Sequence, residues 1–293
     1  MPELPDVTVY IEALDQRLVG DELVRIRFGN PFLLRTVSPA PEELVGKQVV
    51  GLRRIGKRIV IELADHLFIV IHLMIAGRFK WLAAGAKIPG KVGLAAFDFK
   101  RGTLLLTEQG SKRRASLHLV RGEDALRELN PGGMEIFEIS LEQFSEALRR
   151  ERHTLKRSLT DPHLFSGIGN AYSDEILHRA RLSPVQMTTN LSEEEMSRLY
   201  GATRSILTEW TDRLRAEAGE KFPERVTAFR PEMAVHGKYN EPCPVCGTKV
   251  QRIVYAENET NYCARCQTGG KLLADHALSR LLHGDWPKSI EEL

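Results

Sequence analysis

Cys243-Pro244-Val245-Cys246 and Cys263-Ala264-Arg265-Cys266 form two matched Cys-x-x-Cys pairs with sixteen residues between them. Each pair fits a tight knuckle, helped by Pro244 and Gly247, and four thiolates from two knuckles can converge tetrahedrally on zinc. These are the only cysteines of the 293-residue chain. Their clustering favours a metal over disulfides in a reducing compartment. Val250, Ile253, Val254 and Tyr255 on one side and Asn261 and Tyr262 on the other predict a β-hairpin between the knuckles. So small a finger cannot bury enough apolar surface to fold alone, so the metal is expected to supply its folding energy. Four cysteines close the coordination sphere, leaving no place for water or substrate; the expected cofactor is one structural Zn2+.

Working toward the N-terminus, the pattern from Leu141 to about Leu214 is helical: Leu141, Phe144, Leu148, then Ile176, Leu177, Ala180, then Met196, Leu199, Ile206 and Leu207. Before it, from Leu23 to about Leu119, short β-type runs such as Arg58-Ile59-Val60-Ile61-Glu62-Leu63 and Thr103-Leu104-Leu105-Leu106-Thr107 alternate with Gly-containing turns and predict a β-sandwich. Val7, Ile11, Leu14 and Leu18 recur at helical spacing until Gly20, giving one buried N-terminal helix. Asn130-Pro131-Gly132-Gly133 reads as a linker, and the polar stretch Arg215 to Glu232, with Gly219, Pro223 and Pro231, as a loop or lid. Past the finger, Leu272, Leu273, Ala277, Leu278 and Leu281 predict a packed tail helix of no assigned role. The fold class is α+β and multidomain. Its expected divisions are a β-sandwich with flanking helices at 1–130, a helical domain at 131–235, the zinc-finger hairpin at 236–270 and the tail at 271–293.

A net charge of +2, with 27% charged and 42% hydrophobic residues, describes a globular chain and does not by itself announce a polyanion partner. The basic residues are locally clustered, at Lys47, Arg53, Arg54, Lys57 and Arg58, at Lys112-Arg113-Arg114, and from Arg149 to Arg157. Any single run reads first as a solvated face. The start lacks a basic-then-apolar signal pattern and no apolar stretch approaches the ~20 residues of a membrane span, so a cytoplasmic protein without a membrane partner is expected.

The finger, the start Met1-Pro2-Glu3-Leu4-Pro5 and the segment Gly167-Ile168-Gly169-Asn170-Ala171-Tyr172-Ser173-Asp174-Glu175 follow one another in an order found in one family. Up to about Lys271 the chain resembles the formamidopyrimidine-DNA glycosylase and endonuclease VIII family. The resemblance implies a helix-two-turns-helix element in the helical domain and a bacterial-type, nucleoid-associated repair enzyme. It would act on damaged DNA as a monomer without a nucleotide cofactor, as a glycosylase and abasic-site lyase on oxidised bases. Removal of Met1 would expose the secondary amine of Pro2, whose pKa near ~8 leaves an unprotonated fraction able to attack the sugar C1′. By resemblance Glu3 acts as acid or base on the opening ring, Lys57 contacts phosphate and donates a proton during β-elimination, and Glu175 lies near the lesion sugar. The glycine turn Gly167 to Gly169 before a helix suits phosphate binding. Resemblance places Asn170, Lys91, Lys156 and Lys238 on the DNA backbone.

The chain also departs from the family. The loop His72-Leu73-Met74-Ile75-Ala76-Gly77 has Ile75 where methionine is usual, and Gln109-Gly110-Ser111-Lys112-Arg113-Arg114-Ala115 keeps Arg113 but lacks the usual Arg-Phe pair. These loops fill the gap left by an extruded nucleotide, so opposite-base reading should differ. Five residues before the third cysteine, Asn258 stands where the family has an arginine, and an amide cannot offer a charged bidentate fork. Strand cleavage is therefore expected to stop largely at β-elimination. The competing expectation is a damage- or abasic-site binding protein with weak or no catalysis. A zinc-ribbon module without chemistry leaves the matching N-terminus unexplained.

Overall fold

The computed structural model describes every residue except 110–111, 225, 227–228, 256–257, 275–286 and 293. Two compact units emerge, Met1–Pro131 with Trp210–Thr227, and Gly132–Glu209 with Ala228–Leu293.

The first unit opens with helix α1 (Leu4–Leu18). Pro5 sits in its first turn, where a missing N–H leaves no bond unmade. Asp6 accepts the Glu3 N–H at 3.0 Å, which satisfies the donor at the cap. Eight strands follow: β1 (Leu23–Phe28), β2 (Val49–Ile55), β3 (Arg58–Leu63), β4 (Leu67–His72), β5 (Gly77–Leu82), β6 (Gly93–Phe99), β7 (Thr103–Glu108) and β8 (Ser116–Arg121). They form two antiparallel sheets in the orders β1-β6-β7-β5 and β2-β3-β4-β8. Ile59, Ile61, Ile69, Ile71, Leu117 and Leu119 of one sheet share a core with Phe79, Phe97, Leu104 and Leu106 of the other and with Val7, Tyr10 and Leu14 of α1. This is the expected β-sandwich. Val60, Phe68, Val70 and Val120 point the other way and pack with Leu126 of α2 (Glu123–Glu128). Burial on both faces explains why β3 and β4 read as apolar runs and not as clean alternation.

The stretch expected to be a polar loop begins later and is partly anchored. The preceding helix runs to Ala218, and Phe222 and Val226 pack against the core of the first unit. The Phe222 ring lies 5.8 Å from the Tyr10 ring and 5.6 Å from the Arg17 guanidinium, which also donates to the Glu220 carbonyl at 3.0 Å. Surrounding polar and proline residues mask these two anchors in the sequence.

The second unit holds α3 (Leu141–Arg149), capped by Ser140 and Gln143, α4 (Leu155–Thr160), capped by Thr154, α5 (Asn170–Ala180) and the start of α6 (Glu193–Ala218). It ends in the hairpin β9 (Gln251–Tyr255) and β10 (Asn258–Tyr262), then α7 (Ala264–Thr268). Ala171 through His178 of α5 are all buried, so this helix has no solvent face along that stretch. Most of the predicted tail helix falls at 275–286, outside the described residues. On either side of it the Leu272 N–H donates to the Lys288 carbonyl at 2.9 Å, and Leu272, Leu273 and Ile290 pack with Tyr262. Among the described residues no helix is long and apolar enough to cross a membrane.

Candidate active site and nucleic-acid interface

In the first unit, Pro2 and Glu3 are buried at the start of α1, Glu3 with 1% of its surface exposed. Burial holds the α-amino group of Met1 below its ordinary pKa; the Glu3 carboxylate opposes the shift and the Arg78 charge reinforces it. The first residues are thus desolvated and lie beside the Glu3 and Asp6 carboxyls. Lys57 follows Gly56 in the two-residue turn between β2 and β3, and Gly56 takes the positive φ of 59° that this turn requires.

The loop after β4 is built around His72, a residue that motif reading passed over. Its Nδ1 accepts the Met74 N–H at 3.2 Å while Met74 holds φ at 51°. Burial, reinforced by the charges of Arg58, Lys57 and His118, pulls the His72 pKa to about 4, which keeps that acceptor unprotonated. Gly77 closes the loop onto the Leu73 carbonyl at 2.9 Å; any Cβ there would lie 2.2 Å from that oxygen. Ile75 is left at the tip, 54% exposed. In the second loop Glu108, buried, accepts the N–H groups of Arg114 and Ala115 at 3.0 and 3.1 Å, and exposed Arg113 donates to the carbonyl of exposed Lys91. Gly110 and Ser111 of this loop lie outside the described residues.

In the second unit, Asn170 opens α5 directly after Gly169, and its side-chain amide donates to the Glu259 carbonyl of the hairpin at 2.8 Å. Lys156 donates to Asp174 at 2.5 Å and to the Asn170 carbonyl at 2.7 Å, so its charge is already matched inside the protein. The other Asp174 oxygen faces His236 Nδ1 at 2.7 Å. Glu175 accepts the backbone N–H groups of Ala234, Val235 and His236 at 2.8, 2.9 and 2.9 Å, which makes it the anchor of that segment. Burial raises the Glu175 pKa above the usual carboxylate range although these N–H groups pull the other way, and the neighbouring Asp174 charge adds to the rise. Lys238, two residues beyond the segment, pairs with Glu241 at 3.0 Å. Asn258 is exposed at the start of β10. The hairpin's Arg252 is engaged elsewhere, 4.1 Å over the Tyr239 ring and 3.3 Å from Glu259.

The sulfurs of Cys243, Cys246, Cys263 and Cys266 all lie within 4.8 Å of one another, the pairs Cys243–Cys266 and Cys246–Cys263 at 3.9 and 3.4 Å. Tetrahedral zinc with ~2.3 Å bonds to sulfur sets its ligands about 3.8 Å apart, so the donor set fits one zinc ion. Gln267 pins the second knuckle, accepting the Cys263 N–H at 2.8 Å and donating to the Leu182 carbonyl at 2.9 Å. His178 of α5 brings Nε2 to 3.3 Å from Cys243 Sγ. Burial, with the charges of Arg179 and Arg181 nearby, lowers its pKa to about 4.

Motif reading also missed Asp174, His178 and His236. A signal for the first two exists: Asp174, Glu175 and His178 are ionisable residues within a stretch of α5 otherwise rich in Tyr172, Ile176 and Leu177, and such residues should be buried in pairs.

Three family descriptions match in order: Formamidopyrimidine-DNA glycosylase N-terminal domain at residues 1–116, Formamidopyrimidine-DNA glycosylase H2TH domain at 134–215, and Zinc finger found in FPG and IleRS at 240–269. The formamidopyrimidine-DNA glycosylase of Thermus thermophilus is 31% identical over 280 residues, covering 92% of this chain and 100% of the relative. A Mycobacterium tuberculosis protein described as an uncharacterized formamidopyrimidine-DNA glycosylase-like protein is 37% identical over 150 residues, 51% of this chain and 93% of its own. The Lactococcus lactis Fpg in complex with abasic-site DNA superposes with a TM-score of 0.80 at 26% identity, over 91% of this chain and 99% of that one. The same protein bound to DNA containing an oxidised pyrimidine gives 0.81 at 27% identity, over 91% and 100%.

Proposed function

The chain belongs to the formamidopyrimidine-DNA glycosylase family, whose members are glycosylases and abasic-site lyases of base excision repair, and from that premise we propose how its residues divide the chemistry. Damaged DNA is the substrate, and one structural zinc is held by Cys243, Cys246, Cys263 and Cys266. The zinc stabilises the fold of the finger and takes no part in bond making.

Once Met1 is removed, the Pro2 nitrogen is the nucleophile. Its lone pair attacks C1′ of the damaged nucleotide, the glycosidic bond breaks, and the base leaves with a proton. Glu3 protonates the ring oxygen as the sugar opens, leaving an iminium between Pro2 and C1′. Loss of a C2′ proton then expels the 3′ phosphate, which is β-elimination, and Lys57 contributes a phosphate contact and a proton to that step. Hydrolysis of the iminium frees the enzyme. The observation that carries this reading is the burial of Pro2 next to the buried Glu3 carboxyl at the start of α1.

Asn170, Lys91, Arg113 and Lys238 are read as backbone contacts. Lys156 is read as setting the Asn170 turn and contributing to phosphate binding from there, in view of its bond to the Asn170 carbonyl. Ile75 is the wedge that fills the vacated stack. Glu175 is read as orienting the segment at 234–238 through its three backbone bonds. Asn258, neutral where the family has arginine, leaves δ-elimination without its cation. This supports the second reading, an abasic-site binder of low turnover. The chemistry uses an amine and two side chains and so calls for no nucleotide cofactor, and a monomer at the bacterial nucleoid suffices for it.

A form carrying an uncleaved N-terminal extension ahead of Pro2 tests the nucleophile. It should bind abasic DNA yet leave the strand intact, and trimming back to Pro2 should restore cleavage. Cleavage at the full rate with the extension in place would refute the assignment.

A further inference from the structure

We infer that His178 positions the zinc site: its Nε2–H donates to the Cys243 thiolate and ties the metal to helix α5. Nothing in the family motifs gives this residue a role.

The geometry comes first. Nε2 lies 3.3 Å from Cys243 Sγ, both groups are buried, and the two residues are 65 positions apart in the chain. A zinc-bound thiolate has no proton to give, so the proton of this contact belongs to the imidazole, and the Nε2–H tautomer is the one the site selects. Four thiolates around Zn2+ carry a net charge of −2, and a buried site must spread that charge over N–H donors. His178 is a side-chain donor reaching the site from outside the finger.

The place of His178 on α5 gives the contact its consequence. Asn170, at the start of the same helix, donates to the Glu259 carbonyl of the hairpin at 2.8 Å. His178 lies eight residues along, about 12 Å at 1.5 Å per residue. The helix that presents the glycine turn therefore holds the finger at two points, one on the hairpin backbone and one on a metal ligand. Zinc occupancy is then linked to the seating of the hairpin on α5, beyond the folding of the knuckles alone.

Two measurements test this on the full chain. In zinc-loaded wild-type protein labelled with 15N at histidine, long-range proton–nitrogen correlation should show His178 as the Nε2–H tautomer. Replacing zinc by 113Cd should give a scalar coupling between that proton and the metal across the sulfur. A Nδ1–H tautomer overturns the inference, and so does absence of the coupling while other donors to the sulfurs show theirs. Chelator competition supplies the second reading. His178→Phe keeps the ring but loses the donor and should weaken zinc affinity about 10–100-fold, the range for outer-shell partners of metal ligands. His178→Gln, which can still donate an N–H, should lose clearly less. Equal losses in both variants would make His178 a packing residue, and an unchanged affinity in His178→Phe would remove any role at the metal; either result overturns the inference.

Discussion

Glu175→Ala should destabilise the second unit severely. The carboxylate accepts three backbone N–H groups at 2.8–2.9 Å, and those of Val235 and His236 are buried. Removing the acceptor leaves these two donors without a partner, at a cost of roughly 2 kcal/mol each within the 1–3 kcal/mol range for such groups. The sum, about 4 kcal/mol, corresponds to a fall of about 12 °C in the melting transition of the second unit at ~3 °C per kcal/mol. Glu175→Gln should fall less, because the amide oxygen still accepts. The pKa of Glu175 is raised by burial, so the native state favours its neutral form. Its contribution is therefore fully present below the usual carboxylate range and lost as pH rises through the folded value. The gap between wild type and the Gln variant should accordingly narrow from pH 4 to pH 8 in calorimetric scans. Anisotropy with abasic DNA should show a lower salt slope in the Ala variant, by about one, as Lys238 loses its fixed place. An Ala variant melting within ~2 °C of wild type, or a Gln variant less stable than the Ala variant, would refute the reasoning.

Three further outcomes are expected. In single-turnover cleavage of abasic DNA by protein that has lost Met1, activity should fall as pH drops through a value below the ~8 of an ordinary α-amine, because Pro2 is buried and burial favours the unprotonated nitrogen; an acid limb at 8 or above would count against it. Stripping zinc should unfold the finger and weaken DNA binding, while the melting of the first unit persists; apo protein binding as well as loaded protein would contradict this. Asn258→Arg should move the 3′ ends on abasic DNA from unsaturated aldehyde toward phosphate and tighten binding at low salt. An unchanged product ratio in the variant, or a predominant 3′ phosphate from wild type, would show that Asn258 does not limit the second elimination.

What the sequence made legible was local. The spacing of Val7, Leu14 and Leu18 gave α1, the two knuckles gave the metal, and the apolar runs gave a sandwich whose two sheets share one core. What it hid depends on partners far along the chain. Lys156 reads as a free phosphate contact until Asp174, eighteen residues on, is seen beside it. Glu175 reads as a residue near the sugar until the backbone of 234–236, some sixty positions away, is found on its oxygens. Phe222 sits among prolines and charges, and only the fold reveals Tyr10 and Arg17 against it. Residue type states what a group can do; burial and long-range pairing decide which capacity remains free.

Borohydride trapping on abasic-site DNA tests the central claim most directly, because only an enzyme that forms an iminium with the sugar becomes covalently fixed to the strand. Protein with Met1 shown absent by mass should give a stable adduct whose modified peptide begins at Pro2, and Pro2→Gly should give sharply less of it. No adduct from correctly processed, zinc-loaded protein, or an adduct mapped to a lysine, would contradict Pro2 as the nucleophile.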